Sequence, residues 1–167
     1  MIFLGIGSNL SSSFGDRFKN IDLAISFLKV CKINIIKKSS LYESLSYPNK
    51  DNPKFINSVI AVETKLPPVD LMSVLIFVEE KLERKRSKKN DPRTCDLDII
   101  DYNYQIMNFK YRDLELTLPH KEMINRNFVL YPLREIYPNW IHPLTKKNIN
   151  VLIKDLKTSN NEITKLS

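Results

Sequence analysis

Apolar residues recur along this chain at two different spacings, and the order in which the spacings alternate restricts the fold more than any other property. Ile2 to Ile6 is a short, nearly continuous apolar run bracketed by Gly5 and Gly7 at its end, which reads as a buried strand. Phe18, Ile21, Ile25 and Leu28 then recur at helical spacing, so an amphipathic helix is expected from about Asp16 to Val30. Ile33 to Tyr42 is β-rich, and Ser44 to Pro53, with two prolines and no periodicity, reads as a long loop. Phe55 to Leu66 returns to a period of two, with Ile56, Ser58, Ile60 and Val62 on one side and Asn57 on the other. Pro67 and Pro68 stop that strand and open a second helix, with Asp70 near its cap and a stripe of Leu71, Val74, Leu75, Val78 and Leu82. Cys95 to Tyr102 is the next strand. The order β-α-β-β-α-β predicts an α+β, ferredoxin-like sandwich: an antiparallel sheet with helices packed against it, the two long ones on one face. Beyond Asn103 only a short helical stretch, Asn127 to Ile136, interrupted by Pro132, is legible.

A chain of 167 residues reads as one domain, with residues 146–167 a Lys- and Asn-rich tail to which no role is assigned. No apolar run approaches the roughly 20 residues that span a bilayer, and Met1 to Gly5 lacks the basic start of a secretory signal. Cys31 and Cys95 are far apart, with no Cys-x-x-Cys, so neither a zinc site nor a disulfide framework is suggested and a reduced, cytoplasmic setting is expected. The net charge of +7 favours an anionic partner without choosing among nucleotide, nucleic acid and membrane surface.

Chemistry concentrates in one stretch. Asp96 and Asp98 stand two apart in an apolar run, so on a strand both carboxylates face the same way. Two carboxylates side by side repel and call for cations, most simply divalent metal ions. Immediately upstream, Arg84-Lys85-Arg86-Ser87-Lys88-Lys89 is basic except for Ser87, and Arg93 follows a turn-like Asn90-Asp91-Pro92. A basic run alone is as well explained by a solvated face, and Asp-x-Asp alone by a charge-protected edge strand. Together they suit a polyphosphate, with metal ions on bridging oxygens and Lys and Arg neutralising the rest. Cys95 shares the opposite strand face with Leu97 and Ile99 and reads as a small buried hydrophobe rather than a nucleophile.

An ordered set of short motifs runs through the chain: Gly5-Ile6-Gly7-Ser8-Asn9-Leu10, Ser39-Ser40-Leu41-Tyr42, Phe55-Ile56-Asn57, Pro92-Arg93-Thr94-Cys95-Asp96-Leu97-Asp98, and Leu118-Pro119-His120 followed by Asn125-Arg126-Asn127-Phe128. In this order and spacing the set resembles the 6-hydroxymethyl-7,8-dihydropterin pyrophosphokinase family, from about Phe3 to Pro143. The resemblance implies the same ferredoxin-like fold and transfer of the ATP β,γ-diphosphate to the pterin hydroxymethyl oxygen, releasing AMP. It implies that Asp96 and Asp98 hold two Mg²⁺ ions on the ATP triphosphate. Arg84, Arg86 and Arg93 match phosphate-contacting positions, with Lys88 or Lys89 standing in for another. Glu79 matches a nucleotide-side glutamate, and Thr117, His120 and Arg126 match ATP-binding positions. Phe55 and Phe128 match two aromatics that sandwich the pterin ring, Asn57 suits its lactam-like edge, and backbone groups near Ser44 and Tyr47 are implied at its rim, although the loop reads Ser44-Leu45-Ser46-Tyr47-Pro48 where the family commonly carries Pro and Gly. The partners implied are ATP and the pterin, with no nucleic acid, no membrane and a monomeric state.

Two departures stand out. Asp91 occupies the usual glycine position before Pro92, and Asn90 stands where some relatives carry an aromatic; an acidic residue there is expected to affect ATP binding or loop closure. Two other classes remain as alternatives: a ferredoxin-like RNA-binding module, for which no Lys/Arg-Gly-aromatic signature is found on a central strand, and a nucleotidyltransferase, whose Gly-Ser and Asp-x-Asp motifs usually lie closer together than Gly7-Ser8 and Asp96.

Overall fold

The computed structural model describes residues 1–85, 88, 90–157 and 162–166. The elements that build the sheet are β1 (Ile2–Ser8), β2 (Asn34–Lys38), β3 (Tyr42–Ser44), β4 (Phe55–Glu63) and β5 (Asp96–Tyr102), with α1 (Arg17–Val30) and α2 (Pro68–Lys81) between them. Their hydrogen-bonded order is β5-β1-β4-β3, with β2 also on β4, and every pairing is antiparallel. This is the ferredoxin-like sandwich. Asp16 caps α1 by accepting from the Lys19 N–H at 2.9 Å. Pro68 starts α2, where its missing N–H costs nothing, and Asp70 in the first turn favours the helix dipole.

Period-two alternation along β1, β4 and β5 separates two cores. On one face Leu4, Ile6, Ile56, Ile60, Leu97 and Ile99 pack against Ile21, Ala24 and Leu28 of α1 and Leu71, Leu75 and Val78 of α2. Phe18 is not part of that stripe: it is 37% exposed with the Arg17 guanidinium over its ring, and Ala24 takes the buried position. The opposite face is also covered. Phe3, Val59, Ala61 and Ile100 pack against α3 (Asn127–Ile136), Trp140 and α4 (Ile149–Lys154). Pro132 does not interrupt α3, which runs through it; the missing N–H leaves the Phe128 carbonyl without its helical donor.

Three further features go beyond the sequence reading. Met107–Tyr111 (β6) and Leu114–Leu118 (β7) form a separate hairpin turning at Arg112, which takes a left-handed φ of 52°. Residues after 146 are structural: Ile149, Leu152 and Leu156 complete the second core, and β8 (Ile163–Lys165) pairs with β3. A bulge in β5 sets Phe3 against Asp101 and Leu4 against Ile99, so Ile100 is extra and both it and Asp101 serve the α3 face. The buried Asp101 carboxylate accepts there from Trp140 Nε1 at 2.8 Å.

Leu133 is fully buried between α3 and the sheet. Replacing it with Ala is expected to cost about 2–5 kcal/mol, read as a lower urea midpoint with an unchanged denaturant slope.

Candidate active site

The α3 face of the sheet is apolar only toward one end. Toward the other, Gly5 and Gly7 of β1 lie opposite Asp98 and Asp96 of β5, and Gly7 also lies opposite Asn57 of β4. Directly opposed residues in an antiparallel pair face the same side, so Asp96, Gly7 and Asn57 form one row across three strands. A Cβ at Gly7 would lie 3.4 Å from Asn57 Oδ1, 3.5 Å from the Phe55 ring and 3.8 Å from Asp96 Cβ. The missing side chain therefore leaves an open floor between a carboxylate, an amide and an aromatic ring.

The carboxylates are held by arginines from three directions. Asp96 Oδ1 accepts from Arg84 at 2.6 Å, and Asp96 Oδ2 lies 2.8 Å from Arg93 Nη2. Burial would raise the Asp96 carboxyl, but Arg93 and Arg84 outweigh it and hold it below the ordinary carboxylate range. Asp98 is less well served: Arg126 is 3.4 Å from Oδ2 and His120 Nε2 is 4.0 Å away. Burial raises its carboxyl, the Asp96 charge raises it further, and His120 and Arg126 offset only part of this. Burial in turn pulls His120 below its usual value despite the attraction of Asp98. Glu79 on α2, 1% exposed, supports the pair from behind: its Oε1 takes Arg84 at 2.5 Å and the backbone N–H of Leu97 at 2.8 Å.

Each of two arginines does a second thing. The Arg93 guanidinium lies 5.1 Å over the Phe55 ring while it pairs with Asp96. The Arg126 guanidinium lies 5.6 Å over the Phe128 ring while it pairs with Asp98. Beside Asp98 a shallow cleft runs between α2 and the β6–β7 hairpin, lined by Met72, Ile99, Phe109, Leu116, Thr117 and His120. At the far end of the glycine floor Asn57 Nδ2 donates to Ser44 Oγ at 2.9 Å and to the Tyr42 carbonyl at 3.4 Å.

Residues 3–138 match the family model of 7,8-dihydro-6-hydroxymethylpterin-pyrophosphokinase. The chain belongs to this family. It is 33% identical over 159 residues to the 2-amino-4-hydroxy-6-hydroxymethyldihydropteridine pyrophosphokinase of Aquifex aeolicus, covering 95% of this chain and 91% of that protein. It is 37% identical over 148 residues to the folic acid synthesis protein fol1 of Pneumocystis carinii, covering 89% of this chain and 19% of that longer protein. Among solved structures it superposes on wild-type Plasmodium falciparum HPPK-DHPS with a TM-score of 0.74 at 14% identity, over 98% of this chain and 47% of that one. That likeness is one of fold.

Most positions that the pyrophosphokinase resemblance singled out converge. Asp96, Asp98, Arg84, Arg93, Arg126 and His120 meet around one carboxylate pair, with Phe55, Phe128, Asn57 and Ser44 along one side and Thr117 in the neighbouring cleft. Glu79 sits beneath the pair, bound to Arg84. The Tyr47 side chain stands 79% exposed, which leaves only its backbone to the rim role that the resemblance implies. Arg86 and Lys89 lie outside the described residues, and Lys88 is exposed, its N–H bonded to Asp91 Oδ2 at 3.0 Å. Asp91 thus shapes the turn, and its carbonyl accepts from Arg93 Nη1 at 3.2 Å. Asn9 was not singled out. Buried, it donates to Ser46 Oγ and the Pro53 carbonyl and accepts from the Arg93 N–H at 2.7 Å, joining three loops. An amide that donates and accepts at once, directly after a strand-ending Gly-Ser, is the signal that points to it.

Because the Asp98 carboxyl is raised, its charge opposes folding above the ordinary carboxylate range, and the penalty fades as pH falls and it protonates. Asp98→Asn is therefore expected to raise the thermal midpoint at pH 7 and to lose that advantage by about pH 3, near the unperturbed carboxylate value. Equal midpoints at pH 7 would contradict the under-neutralised pair.

Proposed function

We propose that this protein transfers the β,γ-diphosphate of ATP to the hydroxymethyl oxygen of 6-hydroxymethyl-7,8-dihydropterin in folate biosynthesis. The pterin oxygen attacks the β-phosphorus, the bond from that phosphorus to the α,β-bridging oxygen breaks, AMP leaves with that oxygen, and the hydroxyl proton is released. The observation that supports this best is the double duty of Arg93 and Arg126, each joining one carboxylate to one aromatic plate within a chain of this family.

The donor set fits Mg²⁺. Among the described residues no cluster of three or more His, Cys, Asp or Glu forms a closed cage, and Mg²⁺ is commonly held by one or two carboxylates, with substrate phosphates and waters completing its shell. Asp96 and Asp98 would hold the metal, two ions in our reading. Bound there, Mg²⁺ would supply charge neutralisation on the phosphate oxygens and acidify the attacking hydroxyl. The protein's own part is positional. Thr117 and His120 line the cleft that takes the nucleoside end, and Arg84, Arg93 and Arg126 neutralise the phosphates. Phe55 and Phe128 stack the pterin, worth about 0.5–1.5 kcal/mol each beyond burial, over the floor cleared by Gly7. Asn57 and the backbone near Ser44 meet its amide edge.

In the structure described above both rings are covered and both carboxylates are paired with arginine. A triphosphate gives Arg93 and Arg126 a stronger partner, and Arg93 Nε, buried and without a hydrogen-bond partner among the described residues, is a donor in reserve for it. Drawing the two arginines onto phosphate would uncover the rings. Nucleotide binding is accordingly expected to strengthen pterin binding: the pterin Kd should fall at least about tenfold when Mg²⁺ and a non-hydrolysable ATP analogue are present. An unchanged Kd would rule out the exchange.

We also infer a cytoplasmic, monomeric enzyme that acts on small molecules alone. Free Cys31 and Cys95 support the reduced setting, and among the described residues no helix is long and apolar enough to cross a membrane. Product analysis with ATP, Mg²⁺ and the reduced pterin tests the reaction: AMP and a pterin diphosphate are expected only when the pterin is present, and ADP would mean a different transfer. Asp96→Ala and Asp98→Ala should each lower turnover at least about 10³-fold, the several kcal/mol that a bound metal supplies. Near-normal rates in both would remove the metal site.

A further inference from the structure

Glu135 lies on α3, outside the carboxylate site, yet it collects donors from three segments. Its Oε1 accepts from the Ser40 N–H at 3.0 Å and the Ser40 hydroxyl at 2.8 Å. Its Oε2 accepts from the Tyr42 hydroxyl at 2.6 Å and lies 3.4 Å from Lys165 Nζ on β8. The carboxylate is only a quarter exposed, and bonds to charged acceptors of this kind are roughly twice as strong as neutral ones. Burial would raise its pKa, but the Tyr42 and Ser40 hydrogen bonds and the Lys165 charge outweigh it, so Glu135 stays ionised. The same contact, together with burial, pushes the Tyr42 phenol up, so it remains a donor.

The two ends of this tie lead to the two sides of the slot. Phe128 and Glu135 are seven residues apart on α3, two turns on the same helix face and about 10 Å along the axis. Tyr42 is the direct partner of Asn57 in the β3–β4 register, and Ser44 is the partner of Phe55. Asn57 Nδ2 donates to Ser44 Oγ and to the Tyr42 carbonyl. Glu135 therefore clamps the helix that carries one aromatic plate to the strand that orients the other plate and the amide.

We propose that Glu135 is a positioning residue that sets the separation between Phe128 on α3 and the Phe55–Asn57 floor on β4, and so governs affinity for the pterin but not for the nucleotide. This rests on the substrate reading above. The nucleotide cleft lies at the opposite edge of the sheet, between α2 and the β6–β7 hairpin, and none of its lining residues stands on α3, β3, β4 or β8; Arg126, the phosphate-side residue nearest the clamp, caps α3 at the end away from Glu135.

The test is a pair of equilibrium titrations on wild type, Tyr42→Phe, Glu135→Gln and Glu135→Ala: the non-hydrolysable ATP analogue with Mg²⁺ alone, then the pterin with both present. Glu135→Ala should weaken the pterin at least about tenfold, Tyr42→Phe by about threefold to tenfold, and Glu135→Gln between them because it still accepts from Ser40. The analogue Kd should stay within about twofold, and in turnover KM for the pterin should rise with kcat nearly unchanged. Pterin affinity unchanged in all variants would overturn the proposal. So would a proportional loss of both ligands, which is what a merely structural tie produces. If Glu135→Ala does not fold, Tyr42→Phe, which removes only a hydroxyl, decides. Wild type that binds the analogue but not the pterin would instead dismiss the substrate reading itself, and the role of Glu135 with it.

Discussion

Two like charges on one face of one strand are the constraint around which the rest is arranged. Asp96 and Asp98 repel each other, and an isolated carboxylate pair at a half-buried position would protonate rather than persist. Three arginines and a histidine from different parts of the chain converge on the pair. The compensation is unequal: among the described residues Asp96 is held by two close arginines, whereas Asp98 has only longer contacts and keeps a raised carboxyl. The residual imbalance falls at Asp98.

The sheet divides its labour between its faces. One face is a continuous apolar core under α1 and α2. The other is apolar under α3 and α4 near Phe3, Val59 and Ile100, then becomes polar along Asp96, Gly7 and Asn57. The β5 bulge helps the division by placing both Ile100 and Asp101 under α3, so the change from site to core falls within one strand. Gly7 keeps the polar end open, and Glu79 takes up the Leu97 N–H on the sheet's edge strand. Rigid strands and a well-packed helix thus position most of the chemistry, while the basic residues arrive on connecting segments.

Those segments are tied down at their roots. Asn9 holds the Arg93 N–H and the Pro53 carbonyl together, and Ser8 Oγ donates to the Thr94 carbonyl at 2.7 Å. Glu83, at a left-handed φ of 64°, is bound through its carboxylate by the Ser13 N–H and hydroxyl directly before Arg84. Asp91, the acidic residue of the basic loop, accepts the Lys88 N–H and offers its carbonyl to Arg93. Arg84 and Arg93 thus extend from segments whose roots are fixed to the sheet.

Periodicity determined which segments are strands and helices, because burial of one face enforces a period of two or 3.6 whatever the partner. It also determined that Asp96 and Asp98 share a face opposite Cys95, Leu97 and Ile99. The order of the motifs determined the family and most of the residues that meet at the site. What α3, α4 and β8 pack against was not legible: Pro132 reads locally as a break, and residues after 146 are too polar on average to announce that Ile149, Leu152 and Leu156 finish a core. Only the tertiary structure decided that Asn9 joins three loops, that Glu135 reaches Tyr42, and that Arg93 and Arg126 each cover a ring while neutralising a carboxylate. The contacts of Arg126 with Asp98, Asn9 with Arg93 and Glu135 with Tyr42 join residues 28, 84 and 93 positions apart, and contacts at that range leave no periodic trace in a chain, since they depend on where the elements are packed rather than on how each is built.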